Sequence, residues 1–169
     1  MKKKDSYHCE KMEIEKKAEP TSSRSNPTPS LRTETPALSK ENTKFGFTGK
    51  TLEVNGRTLY RIIALKDFGN VRKGEKGGFI ENERNLDFNY GAWIADNARV
   101  FENARVSRNG WVSGDTELSG NAEVTDCSRA TENVRLSVNA KLSGHSWLSG
   151  NTELSDNKKV SGYIRIPDR

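Results

Sequence analysis

The chain has little of the material from which globular domains build their cores. Only 32% of its 169 residues are hydrophobic and 8% aromatic, against roughly 45–50% apolar residues in an ordinary domain. A thick core spanning the whole sequence is excluded. No run approaches the roughly 20 apolar residues of a membrane span. Met1-Lys2-Lys3-Lys4 opens like a signal peptide, but no apolar stretch follows, which removes the general secretion route. The expectation is a cytoplasmic protein without membrane contact, with secretion by a tail-directed route left open. The only cysteines are Cys9 and Cys127, too few for a disulfide framework and without a metal-ligand pair beside either. They point to a reducing compartment and to no metal. Gly74-Glu75-Lys76-Gly77-Gly78 lacks the strand-to-helix setting of a nucleotide loop, and no catalytic triad spacing appears.

What is present divides into three zones. Residues 1–44 hold four of the five prolines, a Ser/Thr-rich stretch and almost no aromatic residue. Such a segment cannot offset its ordering entropy and is expected to be a disordered leader. It carries ten of the 28 basic and seven of the 23 acidic residues, so the formal charge of +5 falls to +2 over the rest. A near-neutral folded part argues against a nucleic-acid partner. In residues 45–87, two β-type runs flank Asn55-Gly56, the strongest short hairpin signal, and this zone is expected to form a capping hairpin.

Residues 88–169 repeat with a period of six. Steps of six from Ile94 meet Val100, Val106, Val112, Leu118, Val124, Ala130, Leu136, Leu142, Leu148, Leu154, Val160 and Ile166, aliphatic throughout. The position four further on is mostly small, from Ala98 to Thr152, and the position three further on is Asn in eight of twelve units. One large and one small inward residue per six describe a narrow coil with a thin, continuous core, its corners taken by Asn and Gly that tolerate left-handed backbone. Ala130 is small where other units are large and Val134 large where they are small, which conserves volume if both point inward.

The repeat resembles that of hexapeptide left-handed parallel β-helix proteins, in which three hexapeptides make one 18-residue coil. Together with Leu59–Phe68, Gly77-Gly78-Phe79-Ile80-Glu81 and Gly91-Ala92-Trp93-Ile94, it is similar to a bacterial and phage group labelled acyltransferase-like or polymer-forming. The resemblance implies an all-β, single-stranded solenoid with an N-terminal hairpin cap. It also implies that residues 18 apart stack, so that each outward position becomes a column at the strand spacing of roughly 4.8 Å.

One column then reads Arg99, Glu117, Arg135, Glu153; a second reads Arg105, Glu123, Lys141, Lys159; and an Asn ladder runs through Asn103, Asn121, Asn139 and Asn157. Alternating charge and stacked amides are structural features of a coil. The third column, Trp93, Trp111, Arg129, Trp147, Arg165, holds every tryptophan in the protein. Arg over indole can staple neighbouring coils; the same residues are the ones most enriched in binding hot spots.

Function divides accordingly. The leading expectation is a non-enzymatic interaction or self-assembly module whose binding column is Trp93, Trp111, Arg129, Trp147 and Arg165, with a protein partner or a second copy as dimer or trimer. A phage-encoded inhibitor or a bacterial effector would have the same sequence physics. The alternative, implied by the resemblance, is an acyltransferase using acyl-CoA with His145 as general base. His145 shares a column with Asn109, Cys127 and Tyr163, at a position usually held by Asn. No inserted loop or basic cluster for CoA phosphates accompanies it. Lys158, at a nominally inward position, and Pro167 suggest a loosened last coil, whose end could pair with another molecule or be guarded against doing so.

Overall fold

The structure is a computed structural model and describes residues 35–167; the leader expected over residues 1–34 lies outside the described residues. β1 (Phe45–Val54) and β2 (Arg57–Ala64) pair antiparallel around Asn55 and Gly56, both at positive φ as a tight hairpin turn demands. β3 (Lys76–Ile80) adds antiparallel to β2. The packed region starts earlier than residue 45, since Leu38 rests on the core and Asn42 and Lys44 are buried.

Beyond the cap, two-residue strands recur every six residues, from β4 (Trp93–Ile94), β5 (Arg99–Val100) and β6 (Arg105–Val106) to β14 (Glu153–Leu154), β15 (Lys159–Val160) and β16 (Arg165–Ile166). They stack in parallel into three sheets, making a β-solenoid. The first sheet runs from the hairpin through β3 and β5 to β14, the second from β6 to β15 and the third from β4 to β16. Pairing is at eighteen residues, as in Arg99 with Glu117, Arg105 with Glu123 and Trp111 with Arg129. The N–H groups of each coil donate to carbonyls of the next, for example Glu117 to Val134 at 2.9 Å. Inward aliphatic residues from Ile94 to Leu154 are buried, as are Ala130 and Val134 with their exchanged sizes.

Every sixth residue from Asp96 to Gly162 has positive φ, with glycine at five of the twelve corners and other residues at seven. This corrects the assignment of the left-handed position to Asn, which comes one residue later. The Asn amides instead bond along the axis, Asn103 to Asn121 at 3.2 Å, Asn121 to Asn139 at 2.9 Å and Asn139 to Asn157 at 2.8 Å. Acidic corners have a local reason: a carboxylate accepts the corner N–H one coil later, Asp96 from Gly114 (3.0 Å), Glu102 from Gly120 (2.8 Å) and Asp126 from Gly144 (3.1 Å). The acceptor's partner is glycine at all three places. A Cβ on Gly114 would lie 2.6 Å from the Glu132 nitrogen, so close stacking as well as φ requires it.

The period breaks once. Ile80 pairs with Val100 and Leu86 bridges Val106, twenty residues apart instead of eighteen, whereas Trp93 pairs with Trp111 at eighteen. Leu86, and not Phe88, therefore occupies the first rung, and two extra residues bulge between Leu86 and Trp93. Lys44 closes this loop. Its Nζ donates to the carbonyls of Asp87 (2.9 Å), Tyr90 (2.7 Å) and Ala92 (2.6 Å) and lies 4.8 Å from the centre of the Phe68 ring. The residue is 1% exposed. Burial pushes its pKa down from 10.5 to about 7, with Asp87 opposing and Lys66 adding to the fall. Only the ammonium form has three N–H groups for three acceptors, and that geometry resists the fall.

Candidate functional site

The third sheet is where the sequence places its candidate surface, and the structure divides that column. Trp93 is fully buried: Gly77 leaves room for its indole, and Phe68 meets it edge-on at 5.4 Å. It belongs to the core beneath the cap, which removes it from the expected outward column. Trp111, Arg129 and Trp147 are half-buried and Arg165 is exposed, in register on successive coils. The Arg165 guanidinium stands 4.2 Å from the centre of the Trp147 ring, and the Trp147 indole N–H donates to Thr131 Oγ1 at 3.1 Å. The staple forms at this pair. The stack fixes the rotamers, which lowers the entropy cost of using the outer edges for contact.

Two features border this face. At the corner leading into it, His145 and Tyr163 lie parallel, ring centres 4.5 Å apart at an interplanar angle of 1°. Tyr163 is 85% exposed and neighbouring Ile164 45%. At the corner leading out, a polar groove of about 400 Å³ is lined by Arg99, Asp115, Asn133, Arg135, Asn151 and Glu153, and Asn133 donates to Asn151 at 3.1 Å. In the alternating column of the first sheet, Glu117, Arg135 and Glu153 form no ion pair among the described residues. In the second sheet, Lys141 pairs with Glu123 at 2.9 Å.

The structure places His145 beside one other titratable side chain, Tyr163. Its imidazole is exposed, stacks on Tyr163 and makes no hydrogen bond among the described residues, so it lacks the group that orients a general base. Cys127 stands one coil below it in the same column. No cluster of His, Cys, Asp or Glu fit to hold a metal occurs among the described residues, and none of their helices is long and apolar enough to cross a membrane.

Sequence reasoning missed Lys44 altogether, since it sits in a polar leader where lysine is ordinarily solvated. The burial of Trp93 had one local sign, the Gly77-Gly78 pair, whose added Cβ atoms would meet Trp93 and Ile94 at 2.7 Å. Compared with known protein families and with curated proteins, the chain matches none.

Proposed function

We propose that the chain is a non-enzymatic interaction or self-assembly module. Its contact face is the third sheet of the solenoid, with Trp111, Arg129, Trp147 and Arg165 at the centre. The observation that carries this reading is the alternation of half-buried indoles with guanidinium groups on successive coils, extended by Tyr163 and Ile164 as exposed large hydrophobic side chains of the last described coil. Trp, Tyr and Arg give large contact area with few torsions to freeze. The partner is a protein surface, which includes a second copy of this chain.

The Trp111→Ala/Trp147→Ala variant tests it. These side chains lie outside the inward rows, so the variant should keep the wild-type far-ultraviolet circular dichroism spectrum while losing association measured by light scattering and by chemical crosslinking. An unchanged spectrum together with unchanged association overturns the proposal.

A further inference from the structure

The outer column of the first sheet alternates in sign, yet its two arginines do not pair within it. Arg99 lies in register beside Glu117, and Arg135 between Glu117 and Glu153. Neither guanidinium forms an ion pair among the described residues. Both line the polar groove at the corner instead. Arg99 Nε is buried without a hydrogen-bond partner, and the guanidinium reaches only the Asp115 carbonyl, at 3.4 Å. A buried donor without an acceptor is costly in a folded chain, and a ligand's acceptor would offset that cost.

The corner beside the arginines reads Asn97, Asp115, Asn133, Asn151, so one carboxylate interrupts a run of amides. Asn133 donates to Asn151 at 3.1 Å and keeps its own Oδ1 open, while the Asp115 carboxylate accepts no hydrogen bond among the described residues. On successive coils the groove therefore presents Arg99, Asp115 and Arg135: cation, anion, cation. No aromatic residue lines it. The spacing selects the ligand. Two rungs at roughly 4.8 Å set the arginines about 10 Å apart, whereas side chains on one face of an extended peptide recur at about 7 Å and fall out of step. A polymer charged on every unit brings an anion against Asp115 and Glu117 on the middle rung, where like charges repel. An extended β-linked glycan advances about one disaccharide over the two rungs. If a carboxylate sugar alternates with a neutral one, both arginines receive a carboxylate, which guanidinium binds in a bidentate fashion. Hydroxyl or acetamido donors then meet Asp115 and Asn133.

We infer that this groove binds an acidic glycan of alternating charged and neutral sugars, laid along the solenoid axis with carboxylates on Arg99 and Arg135. The site is separate from the tryptophan face and does not rest on it. Isothermal titration of the full chain with a hyaluronan octasaccharide, in which glucuronate alternates with N-acetylglucosamine, tests it. An oligogalacturonate of the same length, charged on every sugar, and a neutral chitin oligosaccharide are the comparisons. The chain should bind the first and neither of the others. Arg99→Gln and Arg135→Gln should each weaken binding at least about tenfold, the weight of one charge-assisted contact. Arg105→Gln on the second sheet and Trp111→Ala on the third should leave it unchanged. Asp115→Asn should admit the oligogalacturonate. Arg135 is exposed, so its exchange keeps the fold and decides the matter if Arg99→Gln disturbs packing. Absence of hyaluronan binding, equal affinity for the three glycans, or binding insensitive to Arg135→Gln would each overturn the inference. So would displacement of the octasaccharide by an equal concentration of an oligoglutamate peptide, which would make the groove an acidic-peptide site.

Discussion

Replacing Lys44 by Met keeps the length of the aliphatic stem, and so its packing, while deleting the three donors that gather the carbonyls of Asp87, Tyr90 and Ala92 at 2.6–2.9 Å. Each hydrogen bond of this kind contributes about 0.5–1.5 kcal/mol net, and a buried acceptor left alone costs about 1–3 kcal/mol. Three acceptors sharing one donor group relax together, so the loss is less than the plain multiple, about 3–5 kcal/mol for the three carbonyls left without a donor. That is a large part of the roughly 5–15 kcal/mol that holds a domain folded. With a urea slope of about 2 kcal/mol/M, the unfolding midpoint should fall by about 2 M. The assay is urea unfolding at pH 6, below the folded pKa of about 7 so that Lys44 is an ammonium, followed by far-ultraviolet circular dichroism, with Trp93 fluorescence as a local probe in a Trp111→Phe/Trp147→Phe background. A Lys44→Met chain as stable as the wild type, or more stable, would refute the view that the ammonium closes the entry loop.

The same residue makes stability depend on pH. Its folded pKa of about 7 lies below the 10.5 of the unfolded chain, so the unfolded state binds more protons between these values. Stability should therefore rise as pH increases from 7 towards 10, and the rise should vanish in Lys44→Met; urea midpoints measured at half-unit pH steps check both, and a wild-type profile that is flat or falling contradicts the assignment. In the core, Val134→Ala alone leaves a cavity and should cost about 2–3 kcal/mol, and Ala130→Val alone overpacks and should cost about 1–3 kcal/mol. The double exchange restores the large-small order of the other coils and should lie within about 1 kcal/mol of wild type by thermal unfolding; simple additivity of the two losses would refute the shared interior volume.

The solenoid was legible because its physics is local and repeated. An aliphatic residue every six positions can only be satisfied by a coil that returns it to the same side, and thirteen repetitions leave no second period to consider. The Asn ladder and the register of the three columns follow from that number together with the coil of three hexapeptides that the resemblance implies. What was not legible depends on contacts distant in sequence. Trp93 has the same place in the repeat as Trp111 and Trp147, and only the packing of Phe68 and Gly77 from the cap makes it core. Lys44 is buried because two extra residues after Leu86 leave carbonyls that need donors, a demand that no pattern around residue 44 announces. The left-handed corners were assigned one residue late because Asn is the commoner residue; the glycines at 114, 120, 144, 150 and 162 already mark the true position.

The bulge between Leu86 and Trp93 also shows what the coil absorbs. The sides follow one another in order across it, Ile80 pairing with Val100, Leu86 with Val106 and Ile94 with Val112, so two extra residues remove no rung and turn no face. The coil counts rungs and not residues. Length can be gained or lost at a corner, provided that the carbonyls set free there find donors, as those of Asp87, Tyr90 and Ala92 do in Lys44.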